Sequence, residues 1–318
     1  METQRKKWSL KRKILTWFIS IIGVILVVFI AAGFYFFRIA EIRADKDFIN
    51  DTPMTAKSPV YPEQQFFLKA KKQSWSQTTK DGLKLDAWYL PNEKKSNKTA
   101  VIAHGFAGSK EKMAEYGTLF YNLGYNVLIP DDRAHGESEG KFIGYGWLDR
   151  KDYIGWIQQV IDKNGKDEKI VMFGLSMGAA TTMMTSGEKL PENVKAFVED
   201  CGYDSVWNEI KYQAKALYNL PAFPLIYEVS AISKLRAGYD YKEASSVAQL
   251  KKNKRPMLFI HGGDDDFVPT EMVYKNWEAT QGQKELLIVP KAKHAESYAT
   301  DKALYTKTVG DFVNKWIN

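Results

Sequence analysis

Three apolar patterns succeed one another along this chain, and each predicts a different element. From Ile14 to Phe37 the residues are almost wholly apolar and none is charged. A helix of that length spans roughly 36 Å, enough to cross a hydrocarbon core of about 30 Å. Further on, Leu83, Leu85, Ala87 and Tyr89 alternate with polar positions, as in a half-exposed antiparallel strand. Then come short apolar runs without alternation: Ala100 to Ala103, Val127 to Ile129, Ile170 to Phe173, Ala196 to Val198, Met257 to Ile260 and Leu286 to Val289. Runs of this kind suit strands buried on both faces of a parallel sheet. Helical stretches separate them at about 111–123, 147–163, 177–187, 270–280 and 301–317, so the expected fold class is α/β with a doubly wound, mostly parallel sheet. The interval 203–250 breaks that rhythm. It is rich in aromatic residues, is interrupted by Pro221 and Pro224, and is too long for a simple crossover. It predicts a helical cap inserted over the active-site edge.

Charge sharpens the reading of the first segment. The net charge is +7, but Arg5, Lys6, Lys7, Lys11, Arg12 and Lys13 against Glu2 account for +5 of it. The remaining +2 offers no nucleic-acid surface. Basic residues before an apolar span orient the N-terminus toward the cytoplasm, with Trp8, Trp17, Tyr35 and Arg38 as interfacial anchors. The span is longer than a signal-peptide core and lacks the polar face of a core helix. The expected organisation is a cytoplasmic basic segment 1–13, a transmembrane anchor 14–37, a juxtamembrane stalk 38–70 broken by Pro53, Pro59 and Pro62, and a domain 71–318. That topology places the bulk of the protein outside the cell membrane. The single cysteine, Cys201, allows no internal disulfide.

Gly174-Leu175-Ser176-Met177-Gly178 matches the nucleophile elbow G-x-S-x-G, in which a serine sits on a tight turn between a strand and a helix. A buried run precedes it and a plausible helix follows, as the motif requires. A serine hydroxyl needs a general base within hydrogen-bond reach. With this elbow the triad runs in chain order serine, acid, histidine. Of the four histidines, His104 and His135 precede Ser176, and His261 ends a buried strand, which leaves His294. The acid belongs after the strand 257–260, where Asp264, Asp265 and Asp266 stand together; Asp200 is a further candidate at a neighbouring strand end. The oxyanion needs two backbone N–H donors, expected from Met177 and from Phe106 in the loop His104-Gly105-Phe106-Ala107-Gly108. The sequence carries no paired histidines or phosphate-binding loop, so neither a metal nor a cofactor is expected.

Taken together, these motifs resemble the α/β-hydrolase superfamily, and within it the membrane-anchored cell-surface hydrolases of Gram-positive bacteria. The resemblance rests on His104-Gly105-Phe106, Asp131 to Ser138, the elbow at Ser176, Asp265-Asp266-Phe267-Val268-Pro269 and His294, and covers about residues 75–318. It implies the α/β-hydrolase fold and a Ser176–Asp265–His294 triad, because the family's acid lies four residues before the proline of a D-x-x-V-P run. It also implies that the R-x-H-G-x-S stretch from Arg133 to Ser138 braces the site. The expected activity is hydrolysis of carboxylic esters or thioesters of small-molecule or lipid-like acyl substrates. A prolyl-oligopeptidase-like peptidase is the second reading, and a non-catalytic surface binding protein the third.

Overall fold

The computed structural model describes residues 9–44 and 54–317. Residues 1–8 of the basic segment, including Trp8, and residues 45–53 of the expected stalk, including Pro53, lie outside the described residues.

Eight strands form one sheet in the order β1-β2-β4-β3-β5-β6-β7-β8. The strands are β1 (Gln73–Thr78), β2 (Lys84–Leu90), β3 (Lys98–Ala103), β4 (Asn126–Pro130), β5 (Lys169–Leu175), β6 (Val194–Asp200), β7 (Met257–Gly262) and β8 (Lys284–Val289). The first two pair antiparallel, β2 pairs antiparallel with β4, and β3 to β8 are parallel to one another. The helices are α1 (Leu10–Glu41), α2 (Tyr61–Lys69), α3 (Ala114–Asn122), α4 (Asp149–Asn164), α5 (Met177–Ser186), α6 (Val206–Tyr218), α7 (Leu225–Arg236), α8 (Ser246–Leu250), α9 (Glu271–Ala279), α10 (Ser297–Thr300) and α11 (Lys302–Ile317).

The unalternating runs of β3 to β7 become strands because both of their faces are covered. On one face Phe67, Tyr116, Phe120, Tyr305 and Phe312 pack against Ile102, Val171 and Val198. On the other, Trp156, Ile157 and Val273 pack against Val101, Met172 and Phe259. The run 286–289 behaves differently from its expectation: β8 is an edge strand, and Leu286 is exposed. The other edge, β1, has only Trp75 buried, so no period announces it.

The cap expected at 203–250 contains α6, α7 and α8. Ser205 caps α6 by accepting a hydrogen bond from Asn208 N, and Asn219 ends it in the left-handed region at φ 52°. Beneath the cap a third apolar cluster joins Tyr145, Met177, Tyr203, Val206 and Val229 to Phe37 of α1.

The N-terminal segment departs from a simple anchor and stalk. α1 is longer than 14–37, and by length and composition it can cross a membrane; its apolar window is exposed. Its last turns are part of the folded domain. Gly33, Phe37 and Glu41 are buried, the Tyr145 hydroxyl donates to Ala40 O at 2.8 Å, and Ile143 N donates to Glu41 O at 2.7 Å. Residues 61–69, expected within the stalk, form α2, whose Phe67 is sealed against Gly117 of α3. Both segments are held because each carries an apolar residue that the domain covers, Phe37 in one and Phe67 in the other.

Candidate active site

The elbow forms at the end of β5. Ser176 is held at φ 56°, ψ −114°, a strained conformation for a residue with a Cβ. Its N–H donates to Asp200 O at 2.8 Å. The glycines of the motif are required by contact. A Cβ on Gly174 stands 2.0 Å from Gly178 O, and one on Gly178 stands 2.1 Å from Ala103 O. Both obstacles are backbone, which cannot step aside.

Three side chains from three loops meet here. His294 Nε2 lies 2.9 Å from Ser176 Oγ, and His294 Nδ1 lies 2.8 Å from Asp265 Oδ2. Asp265 Oδ1 accepts the N–H groups of Phe267 at 3.0 Å and Val268 at 2.9 Å. Asp265 is buried, and Asp264 and Asp266 on either side are exposed. Burial alone pushes the Asp265 carboxyl up, but hydrogen bonds and charge from His261 and His294 outweigh it and hold it well below the usual carboxylate range. The loops carrying Asp265 and His294 are pressed together: Asp264 N donates to Ala292 O at 3.0 Å, and a Cβ on Gly262 stands 2.4 Å from that same oxygen.

The remaining histidines and Asp200 take supporting places. His261, set aside in the sequence because it ends a buried strand, puts Nε2 2.9 Å from Val268 O and 3.3 Å from Asp265 Oδ2, behind that carboxylate. Asp200 accepts the Tyr305 hydroxyl at 2.9 Å. His104 Nε2 accepts Asp132 N at 3.0 Å, His135 Nε2 accepts Ala107 N at 3.2 Å, and the two rings meet edge to face at 4.9 Å. These bonds tie the loop carrying Phe106 to the Arg133–Ser138 stretch. Arg133 is clamped in turn between Asp152 and Asp81, at 2.8 and 3.0 Å. Phe106 and Met177 both line the pocket beside Ser176, and Met177, at the start of α5, has no acceptor within its own helix for its N–H.

Among the described residues, two groups of side chains have the spacing of metal ligands. One is Cys201 with Asp265 and His294. In the other, Asp86, Asp131 and Glu137 converge on the ammonium of Lys110, at 3.0, 2.6 and 2.7 Å, so a buried cation of the chain itself already fills that position.

The pocket over Ser176 has a cavity volume of about 110 Å³. Tyr145, Tyr203, Ile210, Leu217, Ile226 and Phe267 are among its walls, and Phe36, Ile39 and Ala40 of α1 complete it. The contribution of α1 escaped the sequence reading, because nothing in an apolar span distinguishes lipid-facing positions from pocket-facing ones.

Among the described residues, Glu209 is the only acidic or basic one on these walls. Burial pushes its carboxyl up from an ordinary 4.5 to about 8, against the hydrogen bond from Gln213. Between those values the folded protein holds a proton that the unfolded chain has released. The resulting stability is fully present below pH 4.5 and is lost as pH rises through about 8. Comparing urea unfolding at low and high pH in the same detergent, the parent should lose about 4 kcal/mol more than Glu209→Gln between about pH 5 and pH 8.5. Equal losses in the two proteins contradict a buried neutral carboxyl.

Comparison with known proteins agrees with this architecture. A family model described as the alpha/beta hydrolase fold matches residues 99–222. Over 216 residues the chain is 34% identical to the uncharacterized protein YqkD of Bacillus subtilis, a match covering 68% of this chain and 71% of that one. It is 24% identical over 238 residues to the uncharacterized membrane protein YNL320W of Saccharomyces cerevisiae, covering 74% and 77%. Among solved structures, the Pyrococcus furiosus esterase Pf2001 superposes with a TM-score of 0.65 at 23% identity, covering 88% of this chain and 100% of the esterase. The Pyrococcus horikoshii acylaminoacyl peptidase gives 0.59 at 19% identity, covering 80% of this chain and 43% of the peptidase. At such identities these two structures speak to fold alone. The chain belongs to the α/β-hydrolase superfamily.

Proposed function

We propose that this chain is a membrane-anchored serine hydrolase that cleaves carboxylic esters or thioesters through Ser176, His294 and Asp265. The observation that carries the reading is the continuous chain of hydrogen-bond distances from Ser176 Oγ through the His294 imidazole to Asp265.

The chemistry follows from that arrangement. Ser176 Oγ attacks the acyl carbon as its proton passes to His294 Nε2. The negative charge moves to the carbonyl oxygen, where the N–H groups of Phe106 and Met177 receive it; each such donor is worth about 10² to 10³ in rate. The bond to the leaving oxygen or sulfur breaks as Nε2 returns the proton to it, leaving an acyl-enzyme. Water, deprotonated by the same nitrogen, then releases the acid. Asp265 keeps the Nδ1–H tautomer and stabilises the imidazolium. No cofactor enters this sequence.

The apolar walls over Ser176 favour an acyl chain over a peptide backbone, which presents polar groups at every residue. For that reason ester or thioester hydrolysis is preferred to the peptidase reading. The basic residues before the span support an N-terminus in the cytoplasm and a hydrolase domain outside the cell.

A membrane-impermeant fluorophosphonate tests activity and topology together. It should label the full chain on intact cells, and purified protein should hydrolyse p-nitrophenyl acyl esters far faster than matched p-nitroanilides. Labelling only after permeabilisation reverses the topology, anilide preference favours the peptidase, and no labelling in either state removes the serine mechanism.

A further inference from the structure

The wall that α1 contributes to the pocket places the site against the membrane. The end of α1 and the residues just after it are fastened to the domain by three hydrogen bonds. Arg43 N donates to Lys141 O at 3.0 Å, the Arg43 guanidinium to Ser138 O at 2.6 Å, and the Tyr145 hydroxyl to Ala40 O at 2.8 Å. Ser138 ends the stretch whose His135 holds the Phe106 loop. Anchor and active site therefore belong to one packed unit.

The contacts of α7 give the direction of the cap relative to the span. Glu228, near the start of α7, lies against Gly33, where a Cβ stands 2.3 Å from its carboxyl carbon; Glu41 comes up against Ser233, further along α7. The two helices therefore run side by side in the same sense. The start of α7, and the turn that joins it to α6, point back toward the exposed apolar stretch of α1. That turn is apolar where a soluble cap is expected to be polar. Phe223 at its tip is 74% exposed, and Leu217, Tyr218 and Tyr227 are exposed beside it. The Tyr218 ring meets Phe36 of α1 edge to face at 5.3 Å, which makes this patch continuous with the span. Leu217, Tyr218 and Leu220 also line the pocket, so one apolar surface runs from the tip of the turn to Ser176.

We propose that the α6–α7 turn inserts into the bilayer beside α1, and that the pocket draws the acyl chain of a membrane-embedded ester directly from the lipid. Singly exposed hydrophobic residues are ordinary, but a contiguous apolar patch beside a membrane-spanning helix has the bilayer as its natural occupant. This inference rests on the serine-hydrolase reading and names its substrate class: long-chain acyl esters held in a membrane.

The test uses the full chain in phosphatidylcholine vesicles with two substrates, p-nitrophenyl acetate in solution and a fluorogenic palmitoyl ester embedded in the bilayer. Phe223→Asp should leave acetate turnover unchanged. It should slow the embedded ester at least about tenfold, the ratio that corresponds to about 1.4 kcal/mol of lost apolar burial. Equal slowing of both substrates, no slowing of either, or a parent that cleaves acetate but not the embedded ester overturns the proposal and leaves the hydrolase reading standing. A second measurement is independent of activity. Cys201 is the only cysteine and is buried, so Phe223→Cys accepts an environment-sensitive fluorophore selectively. Its emission should shift to the blue and be quenched by spin labels on the lipid chains, whereas label on Lys94→Cys, in the loop before β3, should do neither. A quenched tip in a protein that turns over neither substrate upholds membrane insertion and overturns the hydrolase reading. An unquenched tip overturns the insertion.

Discussion

Ser176→Ala is expected to lower kcat toward p-nitrophenyl esters by about 10⁴- to 10⁶-fold and to abolish fluorophosphonate labelling. The Ser176 hydroxyl stands 2.9 Å from His294 Nε2, so its removal takes away the group that this imidazole would activate. His294→Ala should fall as far, because an unassisted hydroxyl at neutral pH is a poor nucleophile. The double variant should be no worse than either single one, since the two residues act as a unit. Residual catalysis above water is expected in all three, from the oxyanion donors and substrate binding alone. Turnover or labelling that survives both single substitutions places the nucleophile elsewhere.

Asp265→Asn should cost about 10⁴ in kcat, with Asp264→Asn and Asp266→Asn within about threefold of the parent. The contrast comes from position. Asp264 and Asp266 face solvent, whereas Asp265 has one oxygen on His294 and the other on the N–H groups of Phe267 and Val268. An asparagine there must turn either its NH₂ toward Nδ1, which imposes the wrong imidazole tautomer, or its NH₂ toward two backbone donors. Neither orientation preserves the network. Because the Asp265 carboxyl is held well below the usual range, it stays charged wherever an imidazole titrates. A pH–rate profile of the parent should therefore show no limb due to Asp265. Loss of activity in Asp264→Asn or Asp266→Asn, with Asp265→Asn active, moves the acid to a neighbour.

Much of this organisation was legible in the chain because its signals are local. The unalternating runs became β3 to β7 since both faces of each are covered. Gly174 and Gly178 announced the elbow because a Cβ at either position collides with backbone a few residues away or on the next strand. The run Asp264-Asp265-Asp266 was less informative by itself: three adjacent carboxylates are chemically alike. The one that turns inward is settled by the N–H groups of Phe267 and Val268, a geometry that composition does not carry.

The sequence by itself determined the inner strands of the sheet, the G-x-S-x-G turn, the chain order of Ser176, Asp265 and His294 and an apolar span long enough for a membrane. Each depends on residue type at short spacing, where period and steric size leave few alternatives. Only the tertiary structure decided that the last turns of α1 belong to the domain, that Phe36, Ile39 and Ala40 wall the pocket, and that His261 stands behind Asp265. The physical reason is the same in all three cases. An apolar position in a span looks identical whether it meets lipid, a cap helix or a substrate chain, and a buried histidine looks identical whichever group it faces. The choice is made by the neighbour across the interface, more than a hundred residues away in sequence for α1 and its cap.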